Sequence, residues 1–405
     1  MRFPEFSGEW KKVNVSKLLD FYSTNSLSWE QLDYNNGKIK NLHYGLIHKG
    51  LSTMIDVFSA SLPYIKEGTI PKSYTLFKEG DVAFADASED TNDVAKAIEV
   101  INCDGQQIVS GLHTIHGRDN SNQTVIGYKG YAFASDSFHK QIRRIAQGTK
   151  VFSISIRNFD EVYIGVPSKD EQTKIAKLLI AIDERIATQN KIIEKLQSLI
   201  KGLNDSLYKQ YGNAITTSFS DFGRSYSGLS GKSADDFGSG KPFITYLNVY
   251  SNNVVKENDY QYVRINDGEN QNVVKYGDVL FTLSSETPEE VGVGSVYLGK
   301  NEIYLNSFCF GIHIENKRIA YSPYLSYYVA STPFRKFIYP FAQGSTRFNL
   351  CKADFEKASI KLPLLENQKY IYAILNSITE KIEIEKSLLR HYTTQKQYLL
   401  CQMFI

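Results

Sequence analysis

Three stretches of this 405-residue sequence carry residue types that do chemistry elsewhere, and each departs from the pattern its chemistry needs. Leu229-Ser230-Gly231-Lys232-Ser233 offers the Gly-Lys-Ser of a phosphate-binding loop. The leading glycine position is Tyr226, however, and no buried strand precedes it, so nucleotide binding is not expected there. Asp236-Phe237-Gly238-Ser239-Gly240 resembles the glycine turn of a methyl-donor site, but polar residues precede it and no Pro-Pro-aromatic tetrapeptide occurs. His113 and His116 are spaced for metal binding without an obvious third ligand. A Pro-Asp followed by Asp/Glu-x-Lys, the signature of a nuclease, is absent, and the chain by itself is expected to catalyse nothing.

A different pattern recurs. Lys140, Arg143, Arg144 and Lys150 surround the turn Gln147-Gly148-Thr149, and Arg335, Lys336 and Arg347 surround Gln343-Gly344-Ser345. A glycine lets backbone approach a phosphate closely, while hydroxyl and guanidinium groups donate to it; such contacts position a protein on nucleic acid without reading bases. A helix cap with solvated charges would leave the same pattern. Candidates for reading base edges are Lys49, His48, Arg118, Asn120 and Asn122 in the first half, and Asn248, Tyr250, Asn252, Arg264 and Ser285 in the second. Arg and Lys suit guanine and Asn suits adenine, although Asn-rich loops are also simply turns. With 46 Lys+Arg against 44 Asp+Glu, the net charge of +2 supplies no bulk positive field, so any footprint is a local patch.

The elements that must position these residues are themselves repeated. The register that places Gln343 on Gln147 is 196 residues, and it also maps Phe138, Phe159, Pro167 and Gln172 onto Phe334, Phe355, Pro363 and Gln368. Upstream the match loosens, to 197 for Gly80-Asp81 against Gly277-Asp278 and to 202 for Tyr44 against Tyr246, so variable loops lie between shared elements. Runs such as Asp278–Leu283 and Phe308–Ile314 are rich in β-branched and aromatic residues, giving an α+β reading: two globular mixed α/β domains. After Pro167 and Pro363 the pattern becomes heptads. The first seam is Ile175, Leu179, Ile182, Ile186, Gln189, Ile193, Leu196, Ile200, Leu203, Leu207. The second is Ile371, Leu375, Ile378, Ile382, Glu385, Leu389, Tyr392, Lys396, Leu399, Met403. Each seam is expected to span roughly 50 Å at about 1.5 Å per residue, and to act as a spacer. If the helices pack antiparallel, Gln189 comes within about a turn of Glu385 and can donate to it, fixing register; a solvated seam edge is the alternative. Lys396 and Tyr392 are expected to splay the last turns or to meet a partner.

The order of variable domain, Pro167…Asp170-Glu171-Gln172 helix, second variable domain and Pro363…Glu366-Asn367-Gln368 helix resembles the specificity subunit of type I restriction–modification enzymes. RFPEFSGEWKKV, SYSGLSGKSADDFG and PFITYLNV are similar to that family's domain starts. The resemblance implies target recognition domains at 1–168 and 213–364, and spacer helices at 169–212 and 365–405, forming an antiparallel coiled coil with a pseudo-two-fold repeat. It also implies a bipartite double-stranded DNA site, two modification (methyltransferase) subunits and restriction/translocase subunits as partners. S-adenosylmethionine, ATP and Mg²⁺ would be held by those partners, and none by this chain. The rival readings are a self-contained DNA adenine methyltransferase and a coiled-coil scaffold with no DNA role. The four cysteines lack CxxC spacing and are expected to be small buried apolar residues in a reducing cytoplasm. With no apolar leader and no 18-residue apolar run, no membrane segment is expected.

Overall fold

Val82–Ala85 and Val279–Thr282 have no polar face, and both become inner strands buried along their whole length. In the computed structural model, which describes residues 1–103 and 105–404, these strands belong to different compact units. The first comprises Met1–Asn190 and Ser387–Ile405, the second Lys191–Lys386.

In the first unit, Val82–Ala85 lies in a five-stranded sheet of order Asp20–Tyr22, Thr114–Arg118, Val82–Ala85, Ala97–Asn102, Met54–Asp56. Only the last pair is parallel. A four-stranded sheet centred on Ile39–Leu42 and Tyr64–Ile65 adds a second layer. In the second unit, Val279–Thr282 sits in an antiparallel sheet of order Gly223–Ser227, Cys309–Ile314, Val279–Thr282, Gly294–Val296. Its companion is the three-stranded sheet built on Phe237–Ile244. One aromatic cluster anchors each core. Phe84 packs on Phe138 and Phe159 at centroid distances of 6.4 and 4.9 Å, and Phe281 packs on Phe334 and Phe355 at 6.1 and 5.2 Å. The repeat is thus a repeat of core packing as well as of sequence. Of the cysteines, only Cys309 is buried; Cys103 and Cys351 are half-buried and Cys401 exposed.

The heptads form helices Lys169–Tyr211 and Leu365–Gln402, of 43 and 38 residues. Every seam position is buried or half-buried. Each helix contributes to both units. In the first unit Ile175, Leu179 and Ile182 share a core with Leu399, Met403 and Phe404, and the Lys396 ammonium meets Asp183 at 2.6 Å. In the second, Ile200, Leu203 and Leu207 join Ile371 and Leu375. Both pairings run antiparallel. The last turns of the C-terminal helix therefore do not splay: Asp183 neutralises Lys396, and Met403 and Phe404 are 3 % and 6 % exposed. Gln189 and Glu385 are each 6 % exposed, and Lys381 reaches Glu385 at 2.5 Å. Among the described residues no helix is long and apolar enough to cross a membrane.

Candidate nucleic-acid interface

A helix leads into each glycine turn. Asp136–Ile145 is capped by Ser135, whose hydroxyl accepts from the Phe138 amide, and Thr332–Ile338 is capped in the same way by Ser331 on Phe334. The chain then reverses. Gln147 and Ser153 exchange backbone hydrogen bonds of 3.1 and 2.8 Å, and Gln343 pairs with Asn349. Gly148 and Gly344 make the reversals at φ 143° and 140°, a region that L side chains rarely adopt. A Cβ there would lie 1.9 Å from the Val151 carbonyl oxygen, or 2.1 Å from that of Arg347. Glycine is therefore required at both points. The tips, 147–151 and 343–347, are exposed throughout, which brings Gln147, Gly148, Thr149 and Lys150, and Gln343, Gly344, Ser345 and Arg347, to the surface of their units.

The flanking cations divide into tethered and untethered ones. Asp136 holds Lys140 at 2.6 Å and Arg143 at 3.6 Å, and Arg143 also donates to Asn92. Arg335 is half-buried among loop carbonyls, donating to those of Glu289, Val291 and Gly292 at 2.7 Å each, and desolvation pulls its pKa down. It braces a loop. Arg144 and Lys150 in the first unit, and Lys336 and Arg347 in the second, are exposed, with no salt bridge among the described residues. Lys336 borders a cavity of about 450 Å³ with Lys201 and Tyr339.

The proposed base readers are placed unevenly. Lys49 is exposed at the end of the helix Tyr44–His48, and the His48 ring contacts the Ala87 carbonyl at 2.9 Å. Arg118 is turned inward: its guanidinium donates to both Asp81 oxygens at 2.8 and 2.6 Å and to the Leu76 carbonyl, and lies over the Tyr22 ring at 4.8 Å. Asn120 donates to Asp20 and Tyr22, and Asn122 occupies a positive-φ turn. Asn248 is 2 % exposed, with its amide bonded to both backbone groups of Lys256, so it shapes a loop rather than facing a ligand; Asn252 folds back on it. Tyr250 stacks on Tyr246 and bonds to Glu290, Ser285 donates to Glu290 at 3.2 Å, and Arg264 is exposed with one donor on the Asp235 carbonyl.

The sequence reading missed a buried carboxylate common to both units. Asp81, 1 % exposed, accepts from His116 at 2.7 Å, from Arg118 and from the Lys78 amide; Asp278, 2 % exposed, accepts from Tyr226 at 2.7 Å, contacts the His313 ring at 2.9 Å and takes the Lys275 amide. The 197-residue register joins Asp81 to Asp278, but on the neighbouring strand Ile115 faces Phe84 and Phe310 faces Phe281, an offset of 195 that sets His313 at the position of Arg118, so the sequence register alone does not pair the two histidines. Burial raises the Asp81 pKa, but the hydrogen bonds from Arg118 and His116 outweigh it and hold the carboxyl below its ordinary range. His113 meets a different carboxylate, Asp86, at 2.9 Å, so the HxxH histidines diverge. In the Gly-Lys-Ser stretch, Lys232 is occupied by Glu269 at 2.5 Å and by the Arg264 carbonyl at 2.6 Å.

Residues 231–391 match the type I restriction modification DNA specificity domain. Two solved structures share the architecture. One is the S subunit of a type I restriction–modification system from M. genitalium, at 14% identity and TM-score 0.53, covering 100% of this chain and 99% of that one. The other comes from work on complex assembly and conformational transition of the type I R-M system, at 15% identity and TM-score 0.61, covering 98% and 97%. At these identities the likeness is one of fold.

Proposed function

We infer that this chain is a DNA-specificity subunit of the type I restriction–modification family, a reading carried into the first half of the chain by the internal repeat. The family match lies in the second unit and its helix, and the same aromatic core, capped helix and glycine hairpin recur in the first. Neither the self-contained methyltransferase nor the DNA-free scaffold gains support from that match.

In this reading each unit grips one half of a split double-stranded DNA site. The exposed hairpin tip supplies backbone amides and hydroxyls, and Arg144 with Lys150, or Lys336 with Arg347, supplies charge to the phosphates. The two long helices set the separation of the half-sites. Catalysis belongs to partners: two modification subunits carry S-adenosylmethionine, restriction/translocase subunits use ATP and Mg²⁺, and the specificity chain binds neither. The observation that carries the proposal is the pair of matched, exposed glycine hairpins, one per unit, since a surface turn repeated with its strained geometry has no role in either core. The test is to co-express the chain with a type I modification subunit and map N6-methyladenine in host DNA. Two short half-sites separated by a fixed gap are expected, and the reading is abandoned if no new methylation appears.

A further inference from the structure

Beside each glycine hairpin lies a shelf whose backbone is the same in both units and whose side chains are not. In the first unit the Asp86 amide donates to the His113 carbonyl at 3.0 Å, the Ile154 amide to Asp86 at 2.8 Å, and Ala87–Ser88 pairs with Phe152–Ser153. In the second, the Leu283 amide donates to Phe308 at 2.9 Å, the Leu350 amide to Leu283 at 2.8 Å, and Ser284–Ser285 pairs with Phe348 and Asn349. A short helix closes each shelf with residues four apart: Tyr44 and His48 in one, Tyr246 and Tyr250 in the other. His48 contacts the Ala87 carbonyl at 2.9 Å, and the Tyr246 hydroxyl donates to the equivalent Ser284 carbonyl at 2.8 Å. His113 and Phe308 are therefore equivalent positions carrying different chemistry, and both are exposed. His113 holds a φ of 53°, a conformation costly for a non-glycine residue.

In the second unit the shelf opens into a cavity of about 290 Å³ lined by Leu247, Tyr250, Glu286, Glu290, Phe308 and Arg347, among others. Leu247 and Phe308 are 68 % and 57 % exposed, offering apolar surface at its rim. Tyr250 and Ser285 hold Glu290, and the Tyr250 hydrogen bond keeps its carboxyl below the ordinary range. Glu286 is exposed on the same loop, with no hydrogen bond or ion pair to another described residue. Two carboxylates repel a phosphodiester, so this shelf is unsuited to gripping the backbone, a part that the functional reading gives to Arg347 at the hairpin. An ionised carboxylate only accepts hydrogen bonds, and in the major groove the groups that donate are the exocyclic amines of cytosine and adenine. The narrow minor groove, with its negative potential, disfavours a carboxylate.

Resting on the specificity-subunit reading, we propose that these shelves are the base-reading sites. In the second unit Glu286 accepts from the exocyclic amine of a cytosine or adenine between the apolar surfaces of Leu247 and Phe308, and in the first the imidazole of His113, standing where Phe308 does, faces a base of the other half-site. A shared scaffold with exchanged side chains is what two readers of different half-sites require.

The test uses the full chain with its modification subunit, on host DNA and on duplexes randomised within each half-site, so that a preference is still read when methylation is weak. Glu286→Lys exchanges acceptor for donor at an exposed position. It is expected to lower discrimination by about tenfold at one base of one half-site, leaving the gap and the other half-site unchanged. His113→Asn, which keeps a residue tolerant of positive φ, is expected to alter only the opposite half-site. Glu315→Lys, at the far end of the strand Cys309–Ile314, makes the same charge change and is expected to leave both half-sites intact. A wild-type split motif with both half-sites unchanged in Glu286→Lys and His113→Asn overturns the shelf proposal alone. Absence of a split motif in the wild type overturns the functional reading beneath it.

Discussion

Asp81 is a charge stored inside the first unit, and its surroundings say what it does. Its oxygens accept from His116, Arg118 and the Lys78 amide, and the same role falls to Asp278 beneath Tyr226 and His313. These carboxylates join the loop before an inner strand to the neighbouring strand, upstream of both the hairpin and the shelf. Because its folded pKa lies below that of an unfolded aspartate, Asp81 contributes stability that is fully present above the unfolded value, about 3.9, and is lost as pH falls through the folded value. Asp81→Asn leaves buried donors without their anion and is expected to cost roughly 3 kcal/mol at neutral pH. Chemical denaturation across pH checks the sign: the gap between wild type and variant narrows below about pH 4, and a constant gap would show that the ionised form is not what stabilises the unit.

Between the elements, the repeat shows how one seam tolerates a charge. Tyr131 donates to Asp183 at 2.7 Å in the first unit, and Tyr327 bonds to Thr379 at 2.7 Å in the second, 196 residues on. Across the seam the first unit has Lys396 where the second has Ile200. Each unit therefore carries a matched set, Asp with Lys or Thr with Ile. Lys396→Ile strands Asp183, and Asp183→Thr strands Lys396, so either alone destabilises; the double variant transplants the second unit's set and is expected to recover, with a coupling of about 1–3 kcal/mol in a thermal double-mutant cycle. Additive losses would mean the pair is solvated. The heptads made these helices legible because a 3.5-residue period needs no tertiary information. The Pro-x-x-x-x-Gln openings were legible as a motif but not as a device: Gln172 and Gln368, both wholly buried, bond to the carbonyls of Pro167 and Pro363 and accept from the amides of Val125 and Tyr321, tying each helix to its sheet domain. Arg118 and Asn248 read as base contacts because their types suit bases. Only three-dimensional neighbours, Asp81 and Lys256, reveal that they are spent inside the fold.

For the whole molecule, the proposed function makes the helices a ruler, and a ruler can be lengthened. One heptad added to both helices, beside Gln189 and beside Glu385, keeps every seam residue in phase because seven residues complete one period of the pattern. The addition lengthens each helix by roughly 10 Å, which at about 3.4 Å per base pair is roughly three base pairs. Methyladenine mapping with the modification subunit should then return the same two half-sites with the gap widened by about three. Adding the heptad to one helix alone offsets the antiparallel partners by two turns, sets apolar seam residues against the wrong neighbours, and should lower thermal stability while abolishing split-site methylation. An unchanged gap in the doubly lengthened chain would mean that something other than the helices sets the spacing, and the reading domains would have to be held by their partners instead.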